Sequence, residues 1–174
     1  MKSKFNYRNS GFTIIELLIF ITINGLLASV ALPQFLSQAQ KAKQTEAKTF
    51  VGTMNRAQQA YYLEHNVFTI QANFKDLGIG KQAQTENYRY TIAGGGRGTS
   101  VVTNQAVLRN VRSPLKAYIG GVSATLYPGT SNIVTQSILC EAAKSAAYGG
   151  VSTGIVKYSA ISPPSCPVNM IVIK

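Results

Sequence analysis

A nearly unbroken apolar run occupies residues 14–32, close to the N-terminus of the chain. Glu16 is its one charged residue, and Thr22, Asn24 and Ser29 are its uncharged polar interruptions. A helix of this length and composition can span a bilayer. An ionisable side chain within such a span costs about 3 kcal/mol at mid-depth, and it is therefore usually functional. The pattern predicts a membrane-spanning helix in which Glu16 has a specific role.

A second helical pattern follows the apolar run and is amphipathic. Residues 41–64 contain no proline, and their apolar side chains recur at spacings of three and four. The stripe consists of Phe50, Val51, Met54, Ala57, Tyr61 and Tyr62. We expect it to pack on a sheet of the same chain, so it implies no cofactor. His65, the only histidine, ends this helix, and we expect it on the surface because no second metal ligand lies nearby.

The rest of the chain predicts strands joined by glycine-rich connections. Residues 87–93 alternate, with Tyr88, Tyr90 and Ile92 on one face. Further strand candidates are 100–102, 115–124, 133–139, 154–158 and 168–173. Segment 94–98 matches neither the dinucleotide-binding spacing nor the P-loop, so we predict a flexible loop there. A long N-terminal helix followed by short strands predicts an α+β fold, with an antiparallel sheet packed on the C-terminal half of the helix.

The composition is strongly basic, since 17 basic and 6 acidic residues give the 174-residue chain a formal net charge of +11. Such a charge is compatible with nucleic acid, anionic lipid or acidic glycans as a partner. However, only Arg97, Arg109, Arg112 and Lys116 come near to a cluster, and no recognition motif accompanies them. A solvated face is the favoured interpretation, and nucleic acid is a minor candidate partner.

The sequence contains no recognisable catalytic constellation. Its 6 acidic residues are spread along the chain, and no GxSxG, HExxH or paired-carboxylate motif accompanies the single histidine. We therefore predict no enzymatic activity, no catalytic residue, no cofactor and no metal site. Cys140 and Cys166 lie outside any metal-ligand spacing, which leaves a disulfide or two buried thiols. The disulfide is favoured if the domain is exported.

Three interpretations of the N-terminal region compete. In the first, it is a cleaved secretory signal, with Lys2, Lys4 and Arg8 as its basic part and Ser29-Val30-Ala31 as its cleavage site. In the second, it is a plain transmembrane anchor. Neither of these gives Glu16 a role, because an acidic residue has no benefit in a signal core or in a simple anchor.

In the third interpretation, Gly11 ends a short basic leader and Phe12 begins the mature chain. Cleavage there creates an amine at the edge of the apolar helix. Because a helix has about 3.6 residues per turn, Phe12 and Glu16 would lie on one face, where amine and carboxylate can neutralise each other. If neighbouring helices pack with a stagger of about a turn, the carboxylate instead meets the amine of the next subunit. Any other stagger leaves the charge unpaired, so Glu16 would fix the register.

The stretch Gly11-Phe12-Thr13-Ile14-Ile15-Glu16-Leu17-Leu18 resembles the cleavage and methylation site of class III signal peptides. These occur in type IV pilins and in the related pseudopilins of type II secretion. The resemblance implies that a prepilin peptidase cuts between Gly11 and Phe12, and that Phe12 is then N-methylated. It also implies that Glu16 guides the subunit into a growing filament.

The resemblance continues at Gly25 and at Pro33, where the pilin helix typically kinks or partly melts on assembly. Proline removes one backbone donor and crowds the preceding turn. The resulting domain prediction is a cleaved leader over 1–11, a transmembrane and filament-core helix over 12–36, and an amphipathic helix over 37–65. Residues 66–174 would form a β-rich globular head with a C-terminal disulfide loop.

More of the chain carries the resemblance. Segments 57–64, 85–88 and 137–141 are similar to those of cyanobacterial major pilins. In pilins a C-terminal cysteine pair forms a disulfide that pins a surface loop. The resemblance to pilins implies that this pair is Cys140 and Cys166 here, and that the loop between them is displayed outward.

The resemblance implies a structural subunit of a type IV pilus, a helical homopolymer used in surface adhesion, twitching motility and DNA uptake. Its partners would be other copies of itself, the prepilin peptidase and the pilus assembly machinery. It would lie in the inner membrane before assembly and at the cell surface afterwards. The alternatives are a pseudopilin or minor pilin of a secretion or pilus machine and, from another class, a membrane-anchored periplasmic binding domain.

Overall fold

The computed structural model describes residues 11–80, 83–127, 129–130, 132–159 and 162–173. The predicted leader, residues 1–11, lies outside the described residues apart from Gly11. The chain divides into two compact units, residues 1–39 and residues 40–174. A single long helix, α1, spans Ile14–His65 and contributes to both units.

Local signals define both ends of helix α1. Thr13 precedes its first residue and pairs with Glu16 in the first turn. At the other end, Asn66 has a positive φ of 54° and donates its backbone N–H to the Tyr62 carbonyl oxygen, 2.8 Å away. Asparagine tolerates this left-handed conformation better than most residues, so it ends the helix one residue after His65.

The N-terminal part of α1 carries an apolar surface. All residues from 11 to 38 are exposed in the isolated chain. Within the described part of the chain, α1 is the one helix long and apolar enough to cross a membrane. The exposed side chains include Ile14, Leu18, Leu26 and Leu32, which water solvates poorly. This surface requires an apolar environment.

The second unit contains a five-stranded antiparallel sheet in the order β1-β2-β3-β4-β7, and strands β5 and β6 form a separate pair. The strands are β1 (Tyr88–Gly94), β2 (Val101–Leu108), β3 (Tyr118–Leu126), β4 (Ile133–Ala142), β5 (Lys157–Ser159), β6 (Ser162–Ser165) and β7 (Met170–Val172). The predicted α+β fold is confirmed, with each of the first four strands beside its neighbour in sequence.

Several strand predictions differ from the structure. Strand β2 continues to Leu108, far beyond the predicted 100–102. The prediction stopped early because the middle residues Thr103, Asn104 and Gln105 are polar, although the structure buries them. Strand β6 was not predicted because it contains Pro163 and Pro164, which are tolerated at an edge position. The predicted strands 115–124 and 154–158 begin later, at Tyr118 and Lys157.

The core of the second unit forms where α1 packs on the sheet. Ala47, Val51 and Met54 are fully buried. The centroids of the Phe50 and Tyr90 rings lie 4.0 Å apart. The predicted apolar stripe therefore packs as expected on a sheet of the same chain. The alternation of β1 is also confirmed, with Tyr88, Tyr90 and Ile92 buried. The helix buries Asn55 and Gln58 as well, which its apolar pattern did not predict.

The opposite face of the sheet is covered by residues 151–156, a segment without regular structure that we call the strap. Val156 is buried and donates its backbone N–H to Thr103 Oγ1, 3.2 Å away. Gln105 Nε2 donates to the Gly154 carbonyl oxygen at 2.7 Å. Strand β3 is consequently buried on both faces along almost its whole length. The sheet is the middle layer of three.

Candidate processing and assembly site

The predicted processing site lies just before helix α1. Gly11, Phe12 and Thr13 are not helical, and Phe12 is 73% exposed. In the uncleaved chain the helix begins two residues after Phe12, so Phe12 does not yet share a helical face with Glu16. The predicted spacing of Phe12 and Glu16 concerns the cleaved subunit and stays a prediction.

The carboxylate of Glu16 is bound to Thr13. Glu16 Oε2 accepts hydrogen bonds from the Thr13 backbone N–H at 2.9 Å and from Thr13 Oγ1 at 2.7 Å. In return, the Glu16 N–H donates to Thr13 Oγ1 at 3.3 Å. This is a capping box, in which a threonine and a glutamate three residues later satisfy free donors at a helix start. The Thr-x-x-Glu spacing is visible in the sequence, and our sequence analysis missed it.

The capping box gives Glu16 a structural role before any cleavage. A carboxylate in the first turn of a helix is stabilised by the exposed N–H groups and by the helix dipole. Among the described residues, no cation lies within ion-pair distance of Glu16. Its second carboxylate oxygen accepts no hydrogen bond from the described part of the chain, so it can accept a donor from outside the subunit.

Polar residues farther along the apolar segment bond to their own helix. Thr22 Oγ1 donates to the Leu18 carbonyl oxygen at 3.0 Å, a bond that threonine commonly makes inside a helix. A hypothetical Cβ on Gly25 would meet no atom within 4 Å, so nothing in this unit requires glycine there. Pro33 lies inside α1, and the helix continues through it.

The predicted disulfide is present between Cys140 and Cys166, with 2.01 Å between the sulfur atoms. Cys140 is fully buried in β4, beside Val172 of β7. The enclosed loop is only partly displayed outward. Tyr148 is 78% exposed, as expected, whereas Val156 of the strap is 3% exposed and belongs to the core. Our expectation of an outward loop is therefore wrong for the strap.

Of the four basic residues that come near to a cluster in the sequence, Arg97, Arg109 and Arg112 are exposed and Lys116 is half-buried, as expected for a solvated face. Arg109 Nη1 donates to the carbonyl oxygens of Thr85 and Glu86 at 3.2 and 3.3 Å. Lys116 forms an ion pair with Glu141. Two of these four basic side chains thus also have partners within the fold.

Other predicted features have structural roles. His65 is exposed and its ring stacks on Tyr61, with 4.1 Å between ring centroids. The glycine-rich loop is anchored, since the Gly96 N–H donates to the Phe68 carbonyl oxygen at 2.8 Å. In the described ranges, no group of three or more acidic, histidine or cysteine side chains is placed to hold a metal ion.

A polar cluster at one end of the sheet involves Tyr118, whose hydroxyl lies 3.2 Å from Gln44 Oε1 of α1 and 3.4 Å from Glu141 Oε2. Burial raises the pKa of the Tyr118 phenol, and the nearby carboxylate of Glu141 raises it further. The phenol is therefore protonated at neutral pH and can donate a hydrogen bond. This arrangement links the helix to β3 and β4.

Comparisons with a family model and with curated proteins identify the same group of proteins. The sequence model of the type IV pilin-like G and H family matches residues 44–167, which include most of the second unit. Outside the N-terminal motif, the globular part thus carries a family signature of its own. No solved structure matches the chain.

Curated relatives fall into two groups. The type IV major pilin protein PilA of Myxococcus xanthus is 37% identical over 94 residues, covering 53% of this chain and 42% of PilA. A fimbrial protein of Neisseria meningitidis is 32% identical over 111 residues, covering 64% of this chain and 63% of that protein. The type II secretion system core protein G of Aeromonas hydrophila is 30% identical over 88 residues, covering 51% of this chain and 62% of that protein. The chain thus spans less than two thirds of the length of each of these relatives.

Proposed function

Because this chain belongs to the type IV pilin family, we propose that it is a structural subunit of a type IV pilus filament. A prepilin peptidase would remove residues 1–11, and Phe12 would be N-methylated. The subunit would then pass from the inner membrane into a surface filament through its N-terminal helix. The filament would serve adhesion and twitching motility, with DNA uptake as an additional activity.

The observation that carries this proposal is the exposed apolar half of α1 with one carboxylate at its start. Residues 12–36 present their apolar side chains without any covering in the isolated chain. In the membrane, lipid would cover them. In a filament, the same surface would be covered by the equivalent helices of other subunits, so one segment supports both states.

Glu16 would select the stagger between neighbouring helices. Cleavage after Gly11 creates an amine at Phe12, and the carboxylate has one oxygen without a partner among the described residues. The Phe12 amine of the adjoining subunit would donate a hydrogen bond to that oxygen when the two helices are staggered by about one turn. In an apolar surrounding, a wrong stagger would leave both charges unpaired at a cost of several kcal/mol.

Gly25 and Pro33 would allow the helix to change on assembly. Glycine is the least restricted residue in a helix interior, and proline removes one helical hydrogen bond. Gly25 makes no close contact in its own unit that would explain its small size. We expect local loss of helical hydrogen bonds near these residues when subunits pack into the fibre.

The cleavage site is tested by mass spectrometry of the mature N-terminus. We expect a chain that begins with N-methylated Phe12. An unmodified start at Leu32 would instead establish a cleaved secretory signal, and an intact Met1 would establish a membrane-anchored binding domain.

The register role is tested by Glu16→Ala, with Glu64→Ala as the matched control because Glu64 is an exposed acid near the other end of α1. We expect Glu16→Ala to remain in the membrane and to be absent from filaments in electron micrographs. The control should assemble normally. Wild-type filament yield from Glu16→Ala would remove the register role.

A second candidate function is that of a type II secretion pseudopilin, and the similarity to core protein G favours it. Gene deletion separates the two functions. Loss of thick surface filaments supports the pilus subunit, whereas loss of secretion with filaments intact supports the pseudopilin. The narrower resemblance of segments 57–64, 85–88 and 137–141 to cyanobacterial major pilins stays a prediction.

A further inference from the structure

Asn24 lies near the middle of the apolar segment. It follows Ile14, the first residue of α1, by about 15 Å along the helix axis. The hydrocarbon core of a bilayer is about 30 Å thick, so a helix that spans it places Asn24 close to the midplane. There the environment offers no water to a polar side chain. This position rests on the membrane insertion proposed above.

The amide of Asn24 has unused hydrogen-bonding capacity. Its Nδ2 donates to the Phe20 carbonyl oxygen at 2.7 Å. Among the described residues, the amide oxygen and the second amide N–H have no partner. Thr22 and Ser29 differ, because each hydroxyl has one hydrogen and donates it to a backbone carbonyl of its own helix. Of these three polar residues, Asn24 alone therefore keeps both a donor and an acceptor to offer.

The geometry points to a second copy of this chain as the partner. We propose that two subunits in the membrane form a parallel, in-register helix pair in which the Asn24 amides exchange hydrogen bonds. The free groups are self-complementary, one donor and one acceptor on each side chain. Both copies insert with the same orientation, and a two-fold axis along the pair places each Asn24 opposite the other.

The same helix face lets two backbones approach. Positions four and seven residues after Asn24 lie within about 40° of it around the helix, and they are Ala28 and Ala31. Phe20, four residues before Asn24, lies equally near the same face, so the close approach is on the C-terminal side of Asn24. Small residues at a membrane helix interface allow the close contact that interhelical hydrogen bonds need. Ser29, five residues on, lies about 140° away and faces elsewhere.

This pairing differs from the filament contact. The stagger that sets Glu16 beside the next amine shifts one helix by four residues, so Asn24 would lie opposite the apolar side chain of Phe20. An in-register pair would therefore have to separate before a subunit enters the fibre. Asn24 would hold the membrane pool in dimers, and Glu16 would select the staggered arrangement at assembly.

The test uses the full chain in phospholipid vesicles, with energy transfer between donor-labelled and acceptor-labelled copies as the readout. We expect wild-type copies to associate, and Asn24→Leu to weaken the association constant about three- to tenfold. Thr22→Leu is the matched control, because its hydroxyl is already bonded within the helix, and it should associate like the wild type. Equal association of Asn24→Leu and wild type, or equal weakening by both variants, would overturn the proposal.

Register is tested by thiol cross-linking in the same vesicles. Both native cysteines are in the disulfide, so an introduced cysteine is the one free thiol. We expect Ala31→Cys to cross-link to itself and Ser29→Cys to do so much less, while the reverse would contradict an in-register pair on this face. Release of the wild-type chain from vesicles by alkaline carbonate would overturn membrane insertion itself. Stable insertion without dependence on Asn24 would overturn only the pairing.

Discussion

Asn104 of strand β2 donates a hydrogen bond from Nδ2 to Oδ1 of Asn55 in helix α1, across a distance of 2.9 Å inside the core. Asn55 Nδ2 in turn donates to the Ile138 carbonyl oxygen of β4, also at 2.9 Å. One buried amide thus connects the helix to two strands. Gly120 of β3 makes this connection possible, because any side chain there would occupy the position of the Asn55 amide.

We expect Asn55→Leu to lower the free energy of unfolding by about 2 to 4 kcal/mol, because it leaves the buried Asn104 amide N–H without its acceptor and removes the hydrogen bond to the half-buried Ile138 carbonyl oxygen. Urea unfolding of the detergent-solubilised chain measures the change. Gln59→Leu is a suitable comparison, since Gln59 is half-buried and makes longer hydrogen bonds of 3.4 and 3.5 Å to Thr135. Equal effects of the two substitutions would contradict a special role for the Asn55 connection.

Gly120→Ala should destabilise the chain by about 1 to 3 kcal/mol, because the new Cβ would lie 2.7 Å from Val51 Cγ1. Gly52→Ala is the matched control within α1. A Cβ at Gly52 meets no atom within 4 Å, and alanine favours helix over glycine by up to about 1 kcal/mol. Thermal unfolding should therefore show opposite shifts for the two variants, and a stabilising Gly120→Ala would refute the close packing of helix and sheet.

Loss of the disulfide should reduce stability by about 3.5 kcal/mol, the loop-closure value for the 26-residue separation of Cys140 and Cys166. The double variant Cys140→Ala, Cys166→Ala should show this loss in urea unfolding. Adding a reducing agent to the double variant should change nothing further. A free-thiol assay of the unreduced, denatured wild type provides the direct check, since two reactive thiols would rule out the bond.

Stability should fall at alkaline pH. Burial raises the pKa of the Tyr90 phenol to about 12 from its ordinary value of 10.0. Folding therefore favours the protonated phenol, so its contribution is fully present below about pH 10 and is lost as pH rises through about 12. Burial also raises the pKa values of the Tyr88 and Tyr118 phenols, which adds to the loss of stability at alkaline pH.

Urea midpoints measured from about pH 9 to about pH 12 test this dependence. We expect Tyr90→Phe to change stability at neutral pH by no more than about 1 kcal/mol, because the ring is kept and only the hydroxyl is lost. The variant should lose less stability than the wild type on raising the pH. Parallel curves for the two proteins would show that Tyr90 does not contribute.

Local patterns predicted much of the fold. The apolar run ending at Leu32 predicted a helix, and the stripe containing Val51 and Met54 predicted the face of α1 that is buried. The alternation of Tyr88 and Tyr90 predicted the inner face of β1. These predictions succeeded because helical and strand periodicity place neighbouring residues on one face without reference to the rest of the chain. The Thr13–Glu16 capping box was equally local and was available from the spacing.

The sequence by itself determined the apolar segment, the packing stripe, the alternating strand and the Gly11 to Glu16 motif, since each depends on residues within a few turns or a few positions of one another. The cysteine pairing came from the family resemblance. Only the tertiary structure decided that Asn55 and Asn104 meet, that the strap covers the sheet through Val156, and that Gly120 must be small. Those relationships join segments that lie far apart along the chain. A buried polar residue such as Asn104 looks like a surface residue until the fold supplies its partner.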